Sequence, residues 1–340
     1  MAAGWHGGGA GGDRAARSRE AGKPDDVTKV AGMHPFLSSF RKTLPLLRRM
    51  RRKDDWTISI YGGHDLRALK PLPGIRKPVL TAAHVRDIPA LFVADPFMVR
   101  TKERYWLFFE VLHATLRRGQ IGVAMSRNGR DWEYCQIVLH EPFHLSYPLV
   151  FKWNNSWYMT PETAAQRQVR LYRAVDFPFR WEHAATLLEG DDYLDPTPFF
   201  YQDRWWLLVG TNISRNDTLR LYHAATLFGP WQEHPHSPIV QGDARSARPA
   251  GRVLDYGGRL IRLAQDCAQN YGRRVLGFEI TELTPERYAE RPFGSAALLE
   301  PGRSGWNECG MHTLDLHSTD EGTWIAYVDG YRRRLYLRPT

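Results

Sequence analysis

The stretch "ADPFMVRTKERYWLFFE" (residues 94–110) has the pattern of one β-hairpin, because two runs of apolar residues flank the polar turn "TKER". The same pattern occurs four more times along the chain. Each copy starts with a polar or charged residue followed by Pro or a small residue, and most copies end in a polar group. The other copies are "SYPLVFKWNNSWYMTPE" (146–162), "LDPTPFFYQDRWWLLVGTN" (194–212), "ARPAGRVLDYGGRLIRLAQD" (247–266) and "MHTLDLHSTDEGTWIAYVD" (311–329).

The spacing of the copies indicates one repeated structural unit. Pro96, Pro148, Pro196 and Pro249 mark the same position in the first four copies, at steps of 52, 48 and 53 residues. The fifth copy has Thr313 there, after a longer step of 64 residues. Most copies are followed by further strand-like runs, and four short strands in about 50 residues are typical of a propeller blade. The sequence therefore predicts an all-β fold, a five-bladed β-propeller.

The ends of this region predict how the propeller closes. The fifth copy is followed by one clear strand, "RRRLYLR" (332–338), so its blade is short of a strand. A spare strand, "WTISIY" (56–61), precedes the first copy, and its Trp matches those that open the outer strands of blades one to three. We expect residues 56–61 to complete the fifth blade. Two smaller β-domains are the alternative, but they leave the even repeat and the missing strand unexplained.

The positive charge of the chain is concentrated at its N-terminal end. The net charge is +9, and residues 1–53 hold twelve Lys or Arg against four Asp or Glu. The rest of the chain is nearly neutral, which argues against nucleic acid as a partner. We therefore expect a disordered basic segment at 1–53 and the propeller at 54–340. Residues 34–53 combine apolar and basic side chains, so they are either a weak membrane-surface or partner contact or a plain linker.

Cysteine and histidine positions give no metal or disulfide pattern. Cys135, Cys267 and Cys309 are widely separated, and three lone cysteines favour a reducing compartment. His312 and His317 would lie on opposite faces of a strand, so they do not form a two-histidine metal site. The beginning of the sequence has no signal-peptide pattern, and no stretch is apolar enough to span a membrane. We expect a cytoplasmic protein without a metal or another cofactor.

The repeat places polar groups at one end of the propeller axis. In each blade the first strand lines the axis, and the second strand ends at the same mouth where the first begins. Carboxylates that meet Arg and His there form an environment suited to acid–base chemistry or ligand binding. The starts are Asp95, Tyr147, Asp195, Arg248 and His312, and the ends are Glu110, Glu162, Asn212, Asp266 and Asp329.

This convergence defines the candidate site. The candidates for catalysis are Asp95, Asp195, Glu162 and Glu110. The candidates for substrate binding are Tyr147, His144, Arg248, Arg252, Asp266, Trp306, Asn307 and His312. Trp306 with a neighbouring amide suits a sugar ring, although an ordinary packing role is equally compatible with the sequence. Asp95 and Asp195 each precede a proline, so turn capping is the alternative for them.

Many motifs, in order, carry a family resemblance. They include "ALFVADPFMV", "GQIGVAMSRNGRDW", "LLEGDDYLDPTPF", "GPWQEHPHSPIVQGDA" and "GWNECGMHTLDLH". From about residue 56 to 330 the chain resembles the N-terminal domain of plant glucosamine inositolphosphorylceramide transferases and its bacterial relatives. That resemblance implies a five-bladed propeller and a carbohydrate or glycolipid partner. More distantly, the arrangement is similar to arabinanase-, xylosidase- and invertase-like glycoside hydrolases.

The distant similarity implies roles for three positions. Those hydrolases have an Asp as base or nucleophile, a second Asp about a hundred residues later, and then a Glu as general acid. Asp95 and Asp195 match the first two positions, whereas Arg248 stands at the third. An Arg side chain is not a general acid at neutral pH, so the mechanism does not transfer directly.

Two functions therefore stay open at this stage, besides a scaffold for protein partners. In a glycoside-hydrolase-like enzyme, Asp95 would be the base or nucleophile and Asp195 would set its pKa and orient substrate. Glu162 or Glu110 would then be the acid. Arg248 and Arg252 would hold an anionic substituent. In a non-catalytic module, the same mouth would bind a glycan or glycolipid head group for a separate glycosyltransferase.

Overall fold

The computed structural model describes residues 50–337, with side chains for residues 53–334. In it the sequence repeat forms five antiparallel sheets. Each sheet contains one copy of the repeat, and neighbouring copies pack side by side around a common axis. The predicted all-β, five-bladed propeller is confirmed. Residues 1–49 lie outside the described residues, so the disordered segment at 1–53 and the contact through 34–53 stay predictions.

The first three blades follow one another along the chain after two leading strands. The leading strands are β1 (Met50–Gly63) and β2 (Lys70–Pro71). Blade 1 consists of β3 (Ala90–Arg100), β4 (Tyr105–His113), β5 (Gly119–Ser126) and β6 (Glu133–Leu139). Blade 2 consists of β7 (Ser146–Trp153), β8 (Ser156–Glu162), β9 (Gln168–Asp176) and β10 (Arg180–Glu189). Blade 3 consists of β11 (Leu194–Tyr201), β12 (Arg204–Thr211), β13 (Thr218–Ala224), β14 (Gln232–Glu233) and β15 (Val240–Gln241).

The remaining two blades depart from this regular pattern. Blade 4 consists of β16 (Leu254–Asp255), β17 (Leu260–Asp266), β18 (Arg274–Leu283) and β19 (Tyr288–Pro292). Blade 5 takes β20 (Leu314–Ser318) and β21 (Trp324–Leu337) from the end of the chain and β1 and β2 from its beginning. Three short 3-10 helices lie at Leu66–Ala68, Ala82–His84 and Ala164–Gln166. No helix in the described part of the chain could cross a membrane.

Strand β1 closes the ring. The order in blade 5 is β20, β21, β1 and β2, so the predicted closing strand 56–61 lies inside β1 and joins the fifth blade. The prediction of a separate strand at 332–338 was wrong. Residues 332–337 continue β21, because Gly330 stays extended and no turn residues reverse the chain there.

The inner strands of blades 1 to 3 share a backbone irregularity at the start of each repeat. The pairing register shifts around Asp95, Tyr147 and Asp195, and these residues have φ values of 54°, 48° and 48°. Such β-bulges turn a side chain out of the regular alternation, at the cost of a left-handed backbone. The following proline has no N–H group to leave unpaired in the interrupted ladder. The repeat therefore sets the direction of three side chains.

Blade 4 replaces this bulge with a loop that runs down the axis. Only Leu254–Asp255 forms its inner strand, and Pro249 makes an isolated bridge to Ala264. Gly251 makes the loop possible, because its φ is 153° and a Cβ there would lie 2.2 Å from the Leu314 carbonyl oxygen. The loop carries Arg248 to one end of the axis and Arg252 toward the other.

The apolar core lies between the blades. Each pair of neighbouring blades shares one large cluster of buried side chains, so the five largest clusters follow the five interfaces. Trp181 belongs to the cluster between blades 1 and 2, and Trp205 to the next one. Burial of these apolar faces holds the blades together and leaves the axis to polar groups. Representative residues of the other three clusters are Trp206, Leu314 and Phe109.

Candidate active site

A cavity of about 560 Å³ opens at the axis end where the inner strands begin, and all five blades contribute to its lining. It brings together six of the twelve predicted site residues. Loops that follow the second strands of blades 2, 3 and 4 form part of its rim. The predicted residues in the lining are Asp95, Glu110, His144, Glu162, Arg248 and His312.

Carboxylates link the blades around this cavity. Asp329 Oδ2 in blade 5 accepts the Asp95 N–H at 2.8 Å, and Asp95 Oδ2 accepts the Tyr147 N–H of blade 2 at 3.1 Å. Glu162 Oε2 likewise accepts the Asp195 N–H of blade 3 at 3.3 Å. A carboxyl oxygen from one blade thus accepts a hydrogen bond from the bulge of the next blade, which compensates for the left-handed backbone. We call these three contacts the carboxylate clasps.

Arg248 is occupied by groups of the protein itself. Its Nε donates to Asp195 Oδ2 at 2.7 Å and its Nη2 to Glu162 Oε2 at 3.0 Å. Its Nη1 donates to Asn216 Oδ1 at 2.9 Å, and the Tyr271 ring covers the guanidinium at 5.1 Å. The guanidinium therefore neutralises two buried carboxyl groups, and the predicted grip on an anionic substituent is not its role in this geometry.

Two carboxyl groups compete for that one cation. Burial raises the pKa of Glu162 well above its usual value, and the Arg248 guanidinium opposes this rise. The Asp195 carboxyl adds to the rise because its negative charge disfavours a second negative charge on Glu162. Asp195 itself lies beneath the cavity lining, where Gln265 Nε2 also donates to its Oδ2 at 2.8 Å. It therefore supports the cavity wall from behind.

His312 lies between two carboxyl groups. Its Nδ1 is 2.8 Å from Asp329 Oδ1, and its Nε2 is 3.5 Å from Asp95 Oδ1. Burial alone would lower the pKa of His312, but Asp329 and then Asp95 raise it. The ring stacks on Trp56 at a centroid distance of 4.1 Å. These contacts fix an imidazole beside the Asp95 carboxyl group.

Asp95 has an intermediate proton affinity. Burial is the largest cause of a rise in its pKa to about 6, and the charges of Asp329 and Asp195 add to it. The His312 ring and a hydrogen bond from the Thr313 hydroxyl to Oδ1, at 2.8 Å, act in the opposite direction. Asp95 is therefore mostly ionised at neutral pH and is close to accepting a proton.

Glu110, unlike Asp95, has surroundings that do little to stabilise a negative charge on its carboxyl group. Its Oε1 is buried and has no hydrogen-bond partner among the described residues. Burial raises its pKa well above the usual value, and Asp95 and Glu162 raise it further. The Gly119 N–H donates to His144 Nδ1 at 2.8 Å, which places the imidazole proton on Nε2, 3.5 Å from Glu110 Oε1. These surroundings favour the protonated form of the Glu110 carboxyl group at the cavity wall.

Asp95, His312 and Asp329 form a compact cluster whose side chains are hydrogen-bonded within the protein. Asp95, His312 and Asp329 each offer a ligand atom, and these atoms lie within 4.8 Å of one another. Asp329 Oδ1, however, already accepts the N–H groups of His312 and Thr313, at 3.1 and 2.9 Å. Its Oδ2 belongs to a carboxylate clasp. The donor set is consistent with an internal hydrogen-bond network.

Comparison with known proteins identifies the family. A family model described as glucosamine inositolphosphorylceramide transferase 1, N-terminal, matches residues 53–331. The chain belongs to this family. A curated member from Oryza sativa subsp. japonica is 35% identical over 330 residues, which cover 89% of this chain and 44% of that protein. A member from Arabidopsis thaliana is 33% identical over 306 residues, covering 84% and 40%.

The chain therefore spans less than half the length of these transferases, and it matches the part that the family model describes as N-terminal. Among solved structures, the RS223 β-xylosidase superposes with a TM-score of 0.55 at 11% identity, over 67% of this chain and 82% of that one. At this identity the likeness establishes the shared propeller fold. This member of the glucosamine inositolphosphorylceramide transferase family thus shares its propeller fold with that β-xylosidase.

Two predicted binding residues of this family member lie deeper along the axis. The Tyr147 hydroxyl hydrogen-bonds Thr197 Oγ1 at 2.9 Å and is fully buried. Arg252 Nε pairs with Asp315 Oδ1 at 2.5 Å, and its other donors reach backbone carbonyls. Neither residue lines the cavity, because the bulge buries Tyr147 and the blade 4 loop carries Arg252 past it. The structure gives both a role in packing the axis.

Three more predicted binding residues lie to the side of the cavity. Asp266 Oδ2 pairs with Arg274 Nε at 2.8 Å in blade 4. Asn307 Nδ2 donates to the Tyr61 hydroxyl at 3.1 Å, and the Trp306 ring meets Tyr61 edge-on at 6.5 Å. Trp306 and Asn307 thus belong to the face of blade 5 away from the axial cavity. Their loop enters blade 5 on its outer side, which the sequence did not indicate.

The cavity has an aromatic wall that the sequence pattern did not indicate. Trp56 and Tyr271 meet edge-on at 6.4 Å beside His312, and Phe92 also lines the cavity. In the sequence pattern, Trp56 is recognisable only as the first residue of the strand that closes the ring. Tyr271 lies in the loop after the second strand of blade 4, and the equivalent loops of blades 2 and 3 also line the cavity. That equivalence is the signal that would have identified Tyr271.

Proposed function

We propose that the chain binds a glycan or a glycolipid head group in the axial cavity and processes it by acid–base chemistry of the glycoside-hydrolase type. The curated relatives are named for inositolphosphorylceramide, which supports a carbohydrate-bearing lipid as the class of ligand. The cavity volume of about 560 Å³ is in the range of small-ligand sites. Trp56 and Tyr271 offer aromatic surface to the C–H face of a sugar ring.

One observation carries the chemical part of the proposal: two carboxyl groups line the same cavity in different surroundings. Glu110 Oε1 has no hydrogen-bond partner among the described residues, whereas Asp95 Oδ1 lies beside the His312 imidazole and accepts from the Thr313 hydroxyl. Burial without a neighbouring cation raises the pKa of Glu110 well above its usual value, whereas Asp95, with a pKa of about 6, is mostly ionised at neutral pH. Such a pair can divide the work of acid and base between its members. Glu110 would protonate the leaving oxygen, and Asp95 would activate water or attack the sugar carbon.

The choice of Glu110 as the acid follows from its neighbours. Glu162 was the other candidate, but its Oε2 accepts hydrogen bonds from Arg248 and from the Asp195 backbone. The Arg248 cation bound to this carboxyl group favours its ionised form, so Glu162 is less suited than Glu110 to hold a proton for a substrate. Glu110 Oε1 has no such bond within the described residues, and His144 Nε2 lies 3.5 Å away to support its carboxylate after the proton leaves.

A second candidate function is binding without turnover, for a separate glycosyltransferase. The observation that favours it is the internal use of charge around the cavity. Arg248 neutralises Asp195 and Glu162, and the carboxylate clasps use an oxygen of Asp95. In a binding module these groups would shape the cavity, and the aromatic wall would supply most of the affinity.

Turnover and binding assays separate the two functions. We would measure hydrolysis of aryl glycosides and of glycosylated inositolphosphorylceramide by the wild-type chain and by Asp95→Asn, Glu110→Gln and the surface control Glu133→Gln. The hydrolase proposal predicts that either site variant loses a factor of about 10²–10⁴ in turnover while binding persists. The wild-type rate should fall below about pH 6, where Asp95 takes up a proton.

The possible results lead to different conclusions. Full activity of Glu110→Gln would exclude Glu110 as the acid. Glycolipid binding by all four proteins without turnover would establish the binding module. If neither site variant changes binding or turnover, the axial cavity is not the functional site.

A further inference from the structure

A second cavity, of about 830 Å³, lies on the other face of strand β1. Side chains alternate along a strand, so Trp56 faces the axial cavity while Asp55 and Thr57 face this one. Trp306 and Leu91 are further parts of its wall. The strand therefore separates two cavities that share no lining residue, and the second needs its own explanation.

The second cavity is strongly basic. Its lining holds five Lys or Arg side chains and a single carboxylate. Asp55 Oδ2 is 2.8 Å from Arg334 Nε and 3.7 Å from Arg332 Nε, so this carboxylate offsets only part of the positive charge. Burial lowers the pKa of Lys53, and Arg334 lowers it further against the opposing effect of Asp55. The cations in the lining are Lys53, Arg76, Lys77, Arg332 and Arg334.

A buried hydroxyl is the second, independent sign of a ligand. Thr57 is only 6% exposed, and its Oγ1 has no hydrogen-bond partner among the described residues. A buried polar atom without a partner costs free energy unless a bound group satisfies it. Thr57 lines the basic cavity, so an acceptor held by the cations would be near this donor. An anion with several oxygens would satisfy both requirements.

We propose that this basic cavity is a second ligand site, which binds a phosphate-bearing ligand. A phosphate group has the charge and the number of acceptor oxygens to engage several Lys and Arg side chains and a hydroxyl together. Trp306, packed edge-on against Tyr61, provides an apolar wall for the part of the ligand that carries the phosphate. The phosphate belongs either to a soluble compound or to a lipid head group. The inference does not depend on chemistry in the axial cavity.

Binding measurements on the full chain test the site. Inorganic phosphate is titrated in phosphate-free, low-salt buffer, and phosphatidylcholine vesicles with and without phosphatidylinositol are tested by co-sedimentation. Arg334→Ala should weaken binding about tenfold and Thr57→Val about threefold, since each removes a donor to a charged acceptor. Lys77→Ala removes an exposed cation of the cavity and should weaken binding without affecting folding.

Arg287→Ala is the matched control. Arg287 is an exposed arginine with one carboxylate partner at 2.8 Å, as Arg334 is, and it lies outside the cavity. It should change binding less than twofold. Glu110→Gln should also leave phosphate binding unchanged, which separates this site from the axial one.

The outcomes distinguish the source of the phosphate. Saturable binding of inorganic phosphate that the cavity variants weaken supports a soluble ligand. Binding only to vesicles with phosphatidylinositol, weakened by the same variants, supports a lipid head group. The proposal is overturned if neither probe binds, or if Arg287→Ala weakens binding as much as Arg334→Ala and Lys77→Ala.

Discussion

The Glu110 carboxyl group is buried with no cation beside it and with no hydrogen-bond partner for Oε1 among the described residues. Its pKa is raised above the ordinary 4.5, so the folded state retains a proton that the unfolded chain releases as the pH rises above 4.5. The folded state binds more protons than the unfolded state in that range, and stability must fall as the pH increases. The site therefore carries a pH-dependent cost in stability.

Substitution of this residue should remove that cost. Gln is close to Glu in shape and carries no ionisable group, so Glu110→Gln should gain free energy of unfolding relative to wild type as the pH rises from 4.5 to 8. Urea unfolding at several pH values measures the difference. Glu133→Gln, at an exposed position, should show a flat difference. A Glu110→Gln difference that shrinks with pH would contradict the assignment of a raised pKa.

At the scale of strands and loops, the sequence repeat predicted the position of the site and not its internal contacts. The equivalent starts and ends of the hairpins placed Asp95, Glu110 and Glu162 at one mouth, and the structure has them in one cavity. The partners of each carboxylate depend on bulges with positive φ and on contacts between blades far apart in sequence. No spacing within one repeat encodes those contacts. Arg248 and Arg252 illustrate this, because both turn inward to carboxylates of the protein.

Gly119, the first residue of β5, sets the distance between Glu110 and its neighbours. A Cβ at this position would lie 2.1 Å from the Leu145 carbonyl oxygen and 2.6 Å from Glu110 Oε1. Gly119→Ala should therefore destabilise the fold by about 1–3 kcal/mol and displace the Glu110 carboxyl group. Thermal unfolding and turnover measure both effects.

Gly210→Ala is the matched control for that substitution. Gly210 is also a strand glycine, but its nearest contact to a new Cβ is 3.3 Å, which small shifts can relieve. We expect a smaller loss of stability and unchanged turnover. Equal effects of the two substitutions would mean that strand propensity, and not the contact with Glu110, limits Gly119.

Across the whole molecule, one ion pair ties four blades together at the end of the axis opposite the cavity. Asp315 of blade 5 pairs with Arg252 of blade 4 and accepts the Met98 N–H of blade 1 at 2.7 Å. Arg252 in turn donates to the Val150 carbonyl oxygen of blade 2 at 3.3 Å. Burial opposes ionisation, but Arg252 and His317 hold the pKa of Asp315 at about 2, below the usual 3.8.

The direction of this shift predicts how stability depends on pH. Ionised Asp315 contributes about 2 kcal/mol above pH 3.8, and the contribution is lost as the pH falls toward 2. Asp315→Asn should therefore lower the free energy of unfolding at pH 7, and its deficit should narrow at pH 3. Denaturant titrations at both values test this. Asp243→Asn is the control, because it removes the carboxylate of a more exposed ion pair with Arg245. It should lower the free energy of unfolding by less than about 1 kcal/mol.

The fold itself followed from the sequence because a propeller repeats one local pattern. Hairpin turns, apolar alternation and even spacing are local properties, and together they predicted five blades and the closing strand. The departures are at blade 4 and at residues 332–337, where the chain leaves the repeat. The basic cavity was also not foreseen, because Arg76 and Arg334 are distant in sequence and meet only through closure.

Closure by β1 also determines when the propeller can finish folding during translation. Strand β1 is made before any of the blades, but its partner β21 is the last described strand to emerge. Until then β1 exposes unpaired backbone groups, together with apolar residues such as Ile58 and Ile60 that are buried in the finished fold. Such an exposed strand edge can pair with other chains. Four blades can assemble during translation, whereas the ring, with both cavities that β1 separates, forms only after synthesis of this region ends.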